Sequence, residues 1–222
     1  MIKMINLEDI KKNLVVKTFI EKGNEHLGAM GYTDHGYLHI SLVSRLSREI
    51  MLKLGYEERM AELAGIAGFM HDLGNVISRN GHSQSGALLA QEILRGMGMD
   101  AAEVAIIAAA IGNHDEGSGH PVNEVAAALI LADKSHVHRN RVRNQDVATF
   151  DIHDRVNYAV EHAMLSIDEE KRVITMELAI DISICPVMEY FEIFLSRMLM
   201  CRRAANFLGC EFELIINGAK LL

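Results

Sequence analysis

The spacing of apolar residues changes near residue 150, and this change constrains the fold more than any other feature of the sequence. Earlier segments repeat apolar residues every three or four positions, as amphipathic helices do. Between residues 174 and 184 every even-numbered position is apolar, and polar residues such as Glu177 and Asp181 occupy odd positions. Such alternation is typical of a strand with one buried face. The sequence therefore predicts a helical domain over residues 1–150 and a sheet-containing appendage over residues 151–222, a chain that is mainly α and α+β overall.

Helices are predicted in the first domain from segments that combine helical spacing with recognisable ends. They cover residues 37–54, 57–73, 83–95, 100–111 and 121–136. Asp34 is the expected N-cap of the first of these helices, and Asp100 with Glu103 forms a capping signal for the fourth. Pro121 suits the first turn of the fifth. Because the connecting segments are short, a compact antiparallel bundle is expected.

The appendage is predicted to follow the order β-β-α-β. Residues 160–167 pair with residues 174–184 across a short turn. An amphipathic helix then runs from Val187 and stops at Gly209, and residues 212–216 form the last strand. A three-stranded sheet of this size is marginal alone. We therefore expect the appendage to pack on the helical domain or to lie across a homodimer interface, where an exposed strand edge could pair.

The charge and composition of the chain exclude several classes of function. Half of the 222 residues are hydrophobic, and the net charge of −8 disfavours binding to polymeric nucleic acid or to anionic membranes. A small anionic substrate held by metal ions remains compatible with this charge. The longest apolar runs, 104–111 and 125–132, are far shorter than the roughly 20 residues of a membrane span. The first residues are charged where a signal peptide is apolar, and the three cysteines form no C-x-x-C pair, so we expect a cytoplasmic protein.

Residues with the chemistry of metal ligands are concentrated in the helical part, mostly near predicted helix ends. They are His35, His39, His71, Asp72, His82, His114 and Asp133. Imidazole and carboxylate groups bind first-row divalent metals where cysteine is absent. His71 and Asp72 end an apolar helix, where burying them without a partner would be costly and a metal ion would satisfy both. Five other histidines are expected in surface or structural roles: His26, His136, His138, His153 and His162.

The order of these residues, H…HD…H…H…D, resembles that of the HD superfamily of metal-dependent phosphohydrolases. The matching elements are HGYLH at 35–39, HDLG at 71–74, HSQSG at 82–86, NHDE at 113–116 and ADK at 132–134. The resemblance covers about residues 30–140. Within that superfamily, the cyclic-di-nucleotide phosphodiesterases differ from this chain at two positions, because Asn75 and His120 stand where their signatures have lysine and tyrosine. The resemblance therefore implies an HD-type helical bundle without pointing to that substrate.

The resemblance also implies a ligand set. His39, His71, Asp72 and Asp133 would hold one metal ion. The positions of two further histidines match those found in members with two metals, in which the aspartate of the H-D pair bridges the ions; these are His82 and His114. We therefore expect one or two divalent ions, with iron expected first and manganese, cobalt, nickel or zinc also compatible.

The expected activity is hydrolysis of a phosphomonoester or phosphodiester bond in a small phosphorylated substrate, for example a nucleotide. A metal-activated water would attack phosphorus, and Asp72 could also accept a proton. His35 and Lys134 are further catalytic candidates, and Glu116 is a candidate for substrate binding. Three arginines in an acid-free stretch after Asp133 suit phosphate recognition through their forked donors, although a solvated basic loop is the simpler interpretation. They are Arg139, Arg141 and Arg143.

Two alternatives to hydrolysis remain open at this point. Some proteins that resemble this fold use a di-iron pair to activate oxygen, and they share these ligand types. A non-catalytic, metal-stabilised regulatory module is the other alternative. Six candidate ligands argue against a purely structural site, because four are enough to fill one.

Overall fold

The computed structural model describes residues 4–222, and helices dominate it up to residue 159. These are α1 (Leu7–Lys12), α2 (Leu14–Ala29), α3 (Tyr37–Lys53), α4 (Glu58–Met70), α5 (His82–Gly96), α6 (Ala101–Gly112), α7 (Glu124–Lys134) and α8 (Ile152–Ala159). Short 3₁₀ helices lie at Leu73–Val76, Arg139–Arg141 and Val147–Thr149. The C-terminal part contains β1 (Val160–Asp168), β2 (Val173–Ile180), α9 (Val187–Phe207), β3 (Glu211–Ile216) and β4 (Ala219–Lys220).

The centre of the molecule is built from α3, α4 and α7. Every residue of α7 from Val125 to Lys134 is buried, as its long apolar run requires. The backbones of α3 and α4 approach closely at Gly68, where a Cβ atom would lie 2.8 Å from Cα of Ser44. The Ser44 hydroxyl donates a hydrogen bond to the carbonyl of Gly65 at 2.7 Å. The two helices therefore pack closely here; α3 carries His39, and α4 ends directly before His71 and Asp72.

Two of the predicted helices have ends that differ by more than one residue from the sequence-based expectation, and the expected N-cap at Asp34 is wrong, because Gly36 precedes α3 without a side-chain cap. The fifth predicted helix does not begin at Pro121, because the side chain of Asn123 accepts a hydrogen bond from the Ala126 N–H and starts α7 at Glu124. The second predicted helix ends at Met70 rather than at residue 73, so that His71 and Asp72 lie in a turn before the 3₁₀ helix. The cap at Asp100 is confirmed, since its carboxylate accepts from the Ala102 N–H at 2.9 Å.

Replacing Asn123 by alanine is expected to lower the free energy of unfolding by about 1 kcal/mol, because the first turn of α7 loses its cap. Thermal unfolding measures the change. Asn123→Asp is the matched control, since it keeps the accepting oxygen but removes the amide that donates to the Ile106 carbonyl. An equal loss in both variants would assign the effect to the Ile106 bond instead of the cap.

The C-terminal sheet has the strand order β1-β2-β3-β4. Strands β1 and β2 form an antiparallel pair, β2 and β3 are parallel and joined through α9, and β4 returns antiparallel to β3. The even-numbered positions of β2 are buried, as the alternation predicts. They are Ile174, Met176, Leu178 and Ile180.

The sheet differs from the prediction in the number of its strands and in the residue at which β2 ends. It has four strands instead of three within the described residues, because Asn217 and Gly218 adopt positive φ angles of 51° and 79° and turn the chain back into β4. Strand β2 ends at Ile180 rather than at 184. Asp181 accepts hydrogen bonds from the N–H and hydroxyl of Ser183, and this turn leaves Ile182 68% exposed despite its apolar side chain.

The C-terminal part packs on the helical part, and the two share one hydrophobic core. Helix α9 lies against α7 and β3, and its buried face includes Tyr190, Phe194 and Met198. The cysteines are buried and unpaired, as core residues. The predicted division at residue 150 stays a prediction. Helix α9 packs on α7 of the helical part, and α8 packs on α9. Among residues 4–222, no helix combines the length and apolar character that crossing a membrane requires.

Candidate metal centre

The six candidate ligands converge from the ends of five helices. His39 lies in the first turn of α3, the H-D pair follows α4, His82 begins α5, His114 follows α6 and Asp133 lies in the last turn of α7. Each side chain is at most 11% exposed. Polar residues so placed meet in space because apolar helices that pack side by side bring their ends together.

One group of ligands surrounds the space between α3, α4 and α7. We call His39, His71, Asp72 and Asp133 the first ligand group. Nε2 of His39 lies 3.2 Å from Oδ1 of Asp133 and 3.7 Å from Oδ2 of Asp72. Nε2 of His71 lies 3.3 Å from the same Asp72 oxygen and 3.6 Å from the Asp133 oxygen. Two imidazole nitrogens and two carboxylate oxygens therefore point at one small volume.

A second ligand group shares Asp72 with the first and adds His82 and His114. The other carboxylate oxygen of Asp72, Oδ1, lies 3.6 Å from Nε2 of His82. Nε2 of His114 is 3.2 Å from Nε2 of His82. Sets of three atoms drawn from the two groups lie within 4.8 Å of one another, close enough to hold a metal ion. Asp72 thus belongs to both groups, and His114 also lies within this range of His71 and Asp133.

The hydrogen bonds on the outer side of the rings prepare the inner nitrogens to bind a cation. Nδ1 of His71 lies 2.8 Å from the Gly68 carbonyl, and Nδ1 of His114 lies 2.6 Å from the Ile111 carbonyl. A carbonyl only accepts, so these Nδ1 atoms carry the proton and the inner Nε2 atom of a neutral ring presents a lone pair. His82 follows the same rule, with Nδ1 3.0 Å from the Arg79 carbonyl.

Several inner atoms are buried and have no hydrogen-bond partner within the described part of the chain, residues 4–222. They are Nε2 of His39, Nε2 of His71 and Oδ2 of Asp72. Lone pairs on imidazole and carboxylate cannot bond to each other, so either a proton on one of the rings or a bound metal ion has to lie between them. The residues present therefore fit a divalent metal ion.

The electrostatics of the buried groups agree with this fit. Burial, together with the nearby Arg141, lowers the pKa of His39 to about 3, so this ring is neutral. Burial alone would also lower the pKa of His71, but Asp72 and Asp133 outweigh it and raise that pKa to about 10. Both carboxyl groups keep pKa values well below their usual range in spite of burial, mainly through His71 for Asp72 and Lys134 for Asp133. The centre therefore holds two carboxylates, and a proton on His71 and a metal ion would compete for the same lone pair.

His136 is part of this centre, although the sequence analysis assigned it to a surface or structural role. It is buried, and its Nδ1 lies 2.9 Å from Nδ1 of His39. One proton between these atoms makes one ring the donor and the other the acceptor. When His39 offers Nε2 to a metal, its Nδ1 carries that proton and donates to His136. His136 follows Asp133 by three residues, and in a helix this spacing places both side chains on the same face. That spacing could have indicated that His136 lies near the ligands.

The other catalytic candidates lie beside the ligand groups. Lys134 is buried, with Nζ 2.6 Å from Oδ2 of Asp133 and 3.7 Å from Oε1 of Glu116. His35 packs edge-on against His39 and is held through Nδ1, 2.7 Å from the Thr33 carbonyl. Lys134 therefore offsets the charge of a candidate ligand and does not belong to a solvated loop.

A cavity of about 500 Å³ opens next to the centre. His35 and Glu116 lie in its wall together with three arginines, which are Arg79, Arg141 and Arg197. Nη1 of Arg79 lies 4.0 Å from Oδ1 of Asp72, so a residue of the cavity wall contacts a candidate ligand. A volume of this size accommodates a drug- or nucleotide-sized molecule.

The three arginines singled out in the sequence do not form one patch. Arg141 is buried and lines the cavity, while its Nε donates to the Asp34 carbonyl and its Nη1 to the His136 carbonyl. Arg139 lies outside the cavity wall, where it pairs with Glu161 at 3.1 Å. Arg143 also lies outside it and donates to backbone carbonyls at residues 24 and 32. The contacts of Arg139 and Arg143 favour roles in holding loops together.

Arg79 and Arg197 are cavity residues that the sequence analysis missed. Arg79 precedes His82 by three residues, and its Nη1 lies 3.4 Å from Nε2 of that ring. Arg197 stands on the apolar face of α9, three residues after Phe194 and four before Cys201. An arginine inside a buried stripe was a signal, because a buried charge needs a function or a partner.

The comparisons with known proteins agree with the geometry. The model of the HD domain family matches residues 36–156, which is more than half of the chain. An uncharacterized protein from Methanocaldococcus jannaschii is 29% identical over 107 residues, a match that spans 41% of this chain and 41% of that protein. HD domains bind divalent metals, and the matched segment contains all six candidate ligands. The chain belongs to the HD domain family, within the superfamily of metal-dependent phosphohydrolases.

Proposed function

We propose that this protein is a metal-dependent phosphohydrolase that cleaves a phosphate ester bond of a small substrate, for example a nucleotide. The observation that carries the proposal is the set of buried, unpartnered Nε2 and Oδ2 atoms beside a cavity lined with arginines. A structural metal site would be closed, whereas this centre adjoins a space large enough for a substrate.

The two ligand groups would hold one or two divalent ions. The first group would bind one ion, and His82 with His114 would complete a second position on the other side of Asp72. Iron is the ion expected first, and manganese, cobalt, nickel or zinc suit the same ligands. When bound, such an ion lowers the pKa of a water molecule and offsets the charge of a phosphate group.

The chain's own residues would position and stabilise the reacting groups. If one ion is bound at the first ligand group through Oδ2, Oδ1 of Asp72 would be left to accept a proton. Lys134 keeps Asp133 ionised and aligned, as their 2.6 Å contact indicates. Arg79 and Arg141 would orient the anionic substrate through Nη2, which in neither side chain has a hydrogen-bond partner among residues 4–222. His35 and Glu116 complete the wall next to them.

Metal analysis followed by a substrate panel tests the proposal. Protein purified without a histidine tag or chelator is analysed for metals, then reconstituted with manganese or, without oxygen, with ferrous iron. We expect release of p-nitrophenol from p-nitrophenyl phosphate or bis(p-nitrophenyl) phosphate, or hydrolysis of a nucleotide, and loss of that activity with EDTA. Oxygen uptake without hydrolysis of any of these compounds would support the di-iron oxygenase alternative and overturn the hydrolase.

Two further expectations accompany the proposal. We expect the protein in the cytoplasm, and we expect a homodimer that forms through the C-terminal sheet, where β1 offers a nine-residue edge strand. Light scattering combined with size-exclusion chromatography measures the oligomeric state. A monomer at micromolar concentration would contradict the dimer and leave the hydrolase proposal intact.

A further inference from the structure

Arg197 reaches the cavity from α9, outside the segment that the HD family model matches. Its Nε lies 2.8 Å from Oε1 of Glu116, and its guanidinium stacks on the ring of Phe194 at 4.0 Å from the ring centre. The side chain is only 17% exposed. A carboxylate and an aromatic ring therefore hold the guanidinium in one orientation.

The two terminal nitrogens of Arg197 have no hydrogen-bond partner among residues 4–222, and the residue lines the cavity. A guanidinium carries five N–H donors, of which the Nε–H bonds to Glu116. The remaining four belong to Nη1 and Nη2, whose forked geometry matches two oxygens of a phosphate or carboxylate. Arg197 is thus tethered at one end and presents its fork to a ligand.

Charged contacts link Arg197 to the metal centre. Glu116 lies 3.7 Å from Nζ of Lys134, which in turn contacts Asp133 of the first ligand group. Arg79 contacts Asp72, which belongs to both ligand groups. Both arginines are therefore connected to candidate ligands, Arg79 directly and Arg197 through Glu116 and Lys134. An anion bound by Arg197 would therefore lie near the metal centre.

Another part of the cavity wall is acidic and disfavours anions. Asp151 and Asp154 of the α8 region line it, and neither makes an ion pair within the part of the chain that the structure describes. Asp151 caps the backbone of α8, and Asp154 accepts a hydrogen bond from Asn144. A phosphate group entering the cavity is repelled by this wall and attracted to the arginines.

We propose that Arg197 binds a phosphoryl oxygen of the substrate, so that α9 completes the substrate site of the HD domain. The inference rests on the proposed function, because it concerns the phosphate ester that the metal centre would cleave. Arg79 would contact the same phosphoryl group from the other side, and the rest of the substrate would extend along the cavity.

Binding of inorganic phosphate to the manganese-loaded full chain tests this assignment. Calorimetry gives the Kd of phosphate for the wild type, Arg197→Gln and Arg197→Lys, and a separate titration gives the affinity for manganese. We expect Arg197→Gln to raise the phosphate Kd about tenfold or more, since it removes a charged, forked donor. Arg197→Lys keeps the charge and the pairing with Glu116, so an intermediate Kd is expected. The manganese affinity should stay unchanged.

Arg202→Gln is the matched control, because Arg202 is an exposed residue of the same helix. It should change neither affinity. Three results would overturn the proposal: no phosphate binding by the loaded wild type, an unchanged phosphate Kd in both Arg197 variants, or a loss of manganese affinity that accounts for the loss of phosphate. The last result would make Arg197 a support for Glu116 and the centre.

The substrate panel separates this inference from the proposed function. Turnover by the wild type with a phosphate Kd that is insensitive to Arg197 would overturn the role of Arg197 alone. Phosphate binding that depends on Arg197, in a protein that hydrolyses no phosphate ester, would overturn the hydrolase and retain Arg197 as an anion-binding residue.

Discussion

Asp72→Asn is expected to abolish metal retention at both ligand groups. Its two carboxylate oxygens face different sets of imidazoles, so one substitution removes an anionic ligand from each. The amide keeps the size of the side chain but loses the negative charge and one acceptor. The loss of affinity should exceed the roughly 10- to 100-fold that follows removal of a supporting residue around a metal. Elemental analysis of the purified variant measures it.

The stability of the same variant provides a second readout. A ligand that binds only the folded protein raises its unfolding temperature. EDTA should therefore lower the unfolding temperature of the wild type but leave that of Asp72→Asn unchanged. His82→Ala should retain an ion in the first ligand group, because His82 belongs to the second.

A carboxylate next to the centre serves as the control for Asp72. Asp115 follows His114 and lines the cavity but belongs to neither ligand group. Asp115→Asn should keep the metal content of the wild type. Full metal content in Asp72→Asn would contradict the assignment, and equal losses in both variants would indicate a general effect of charge near the cavity.

The placement of the candidate ligands at helix ends could be predicted from the sequence, because it depends on the local pattern of apolar and polar residues. Apolar helical segments end at polar residues, and packing such helices brings those ends together. His71 and Asp72 illustrate this, since the apolar run before them predicted a buried helix end. The alternation in β2 was informative for the same reason, because one face of a sheet must be buried.

The roles of residues that depend on tertiary contacts could not be predicted from the sequence in this way. The contact between His136 and His39 joins residues 97 positions apart, and the spacing of His136 from Asp133 does not identify His39 as its partner. Arg139 and Arg143 share the local sequence of Arg141, yet only Arg141 faces the cavity. Charge density along a chain says little about the direction in which each side chain points. The role of α9 in the cavity likewise depends on how the appendage packs on α7.

Gly74→Ala is expected to destabilise the protein by about 3 kcal/mol or more, although Gly74 is not a candidate ligand. A Cβ atom at this position would lie 1.9 Å from the carbonyl oxygen of His82 and 2.6 Å from the backbone nitrogen of Gly86. Overpacking against side chains typically costs about 1–3 kcal/mol, and backbone atoms yield less easily. The start of α5 would have to move away from the H-D turn. Thermal and denaturant unfolding measure the loss.

The same movement should weaken one metal position more than the other. His82 is the first residue of α5, and its Nε2 now lies 3.6 Å from Asp72. Displacing α5 separates the second ligand group but leaves His39, His71 and Asp133 on other elements. We therefore expect Gly74→Ala to lose affinity at the second position while the first position still binds, a pattern that elemental analysis at limiting metal would reveal.

Gly96→Ala is the control for this prediction. Gly96 ends the same helix, and a Cβ atom there would meet no atom within 4 Å. The substitution should be neutral or slightly stabilising, because alanine restricts the unfolded chain more than glycine does. An unchanged unfolding free energy in Gly74→Ala would mean that α5 adapts without cost. Uniform metal loss at both positions would mean that the close contact at Gly74 organises the whole centre and not the second ligand group alone.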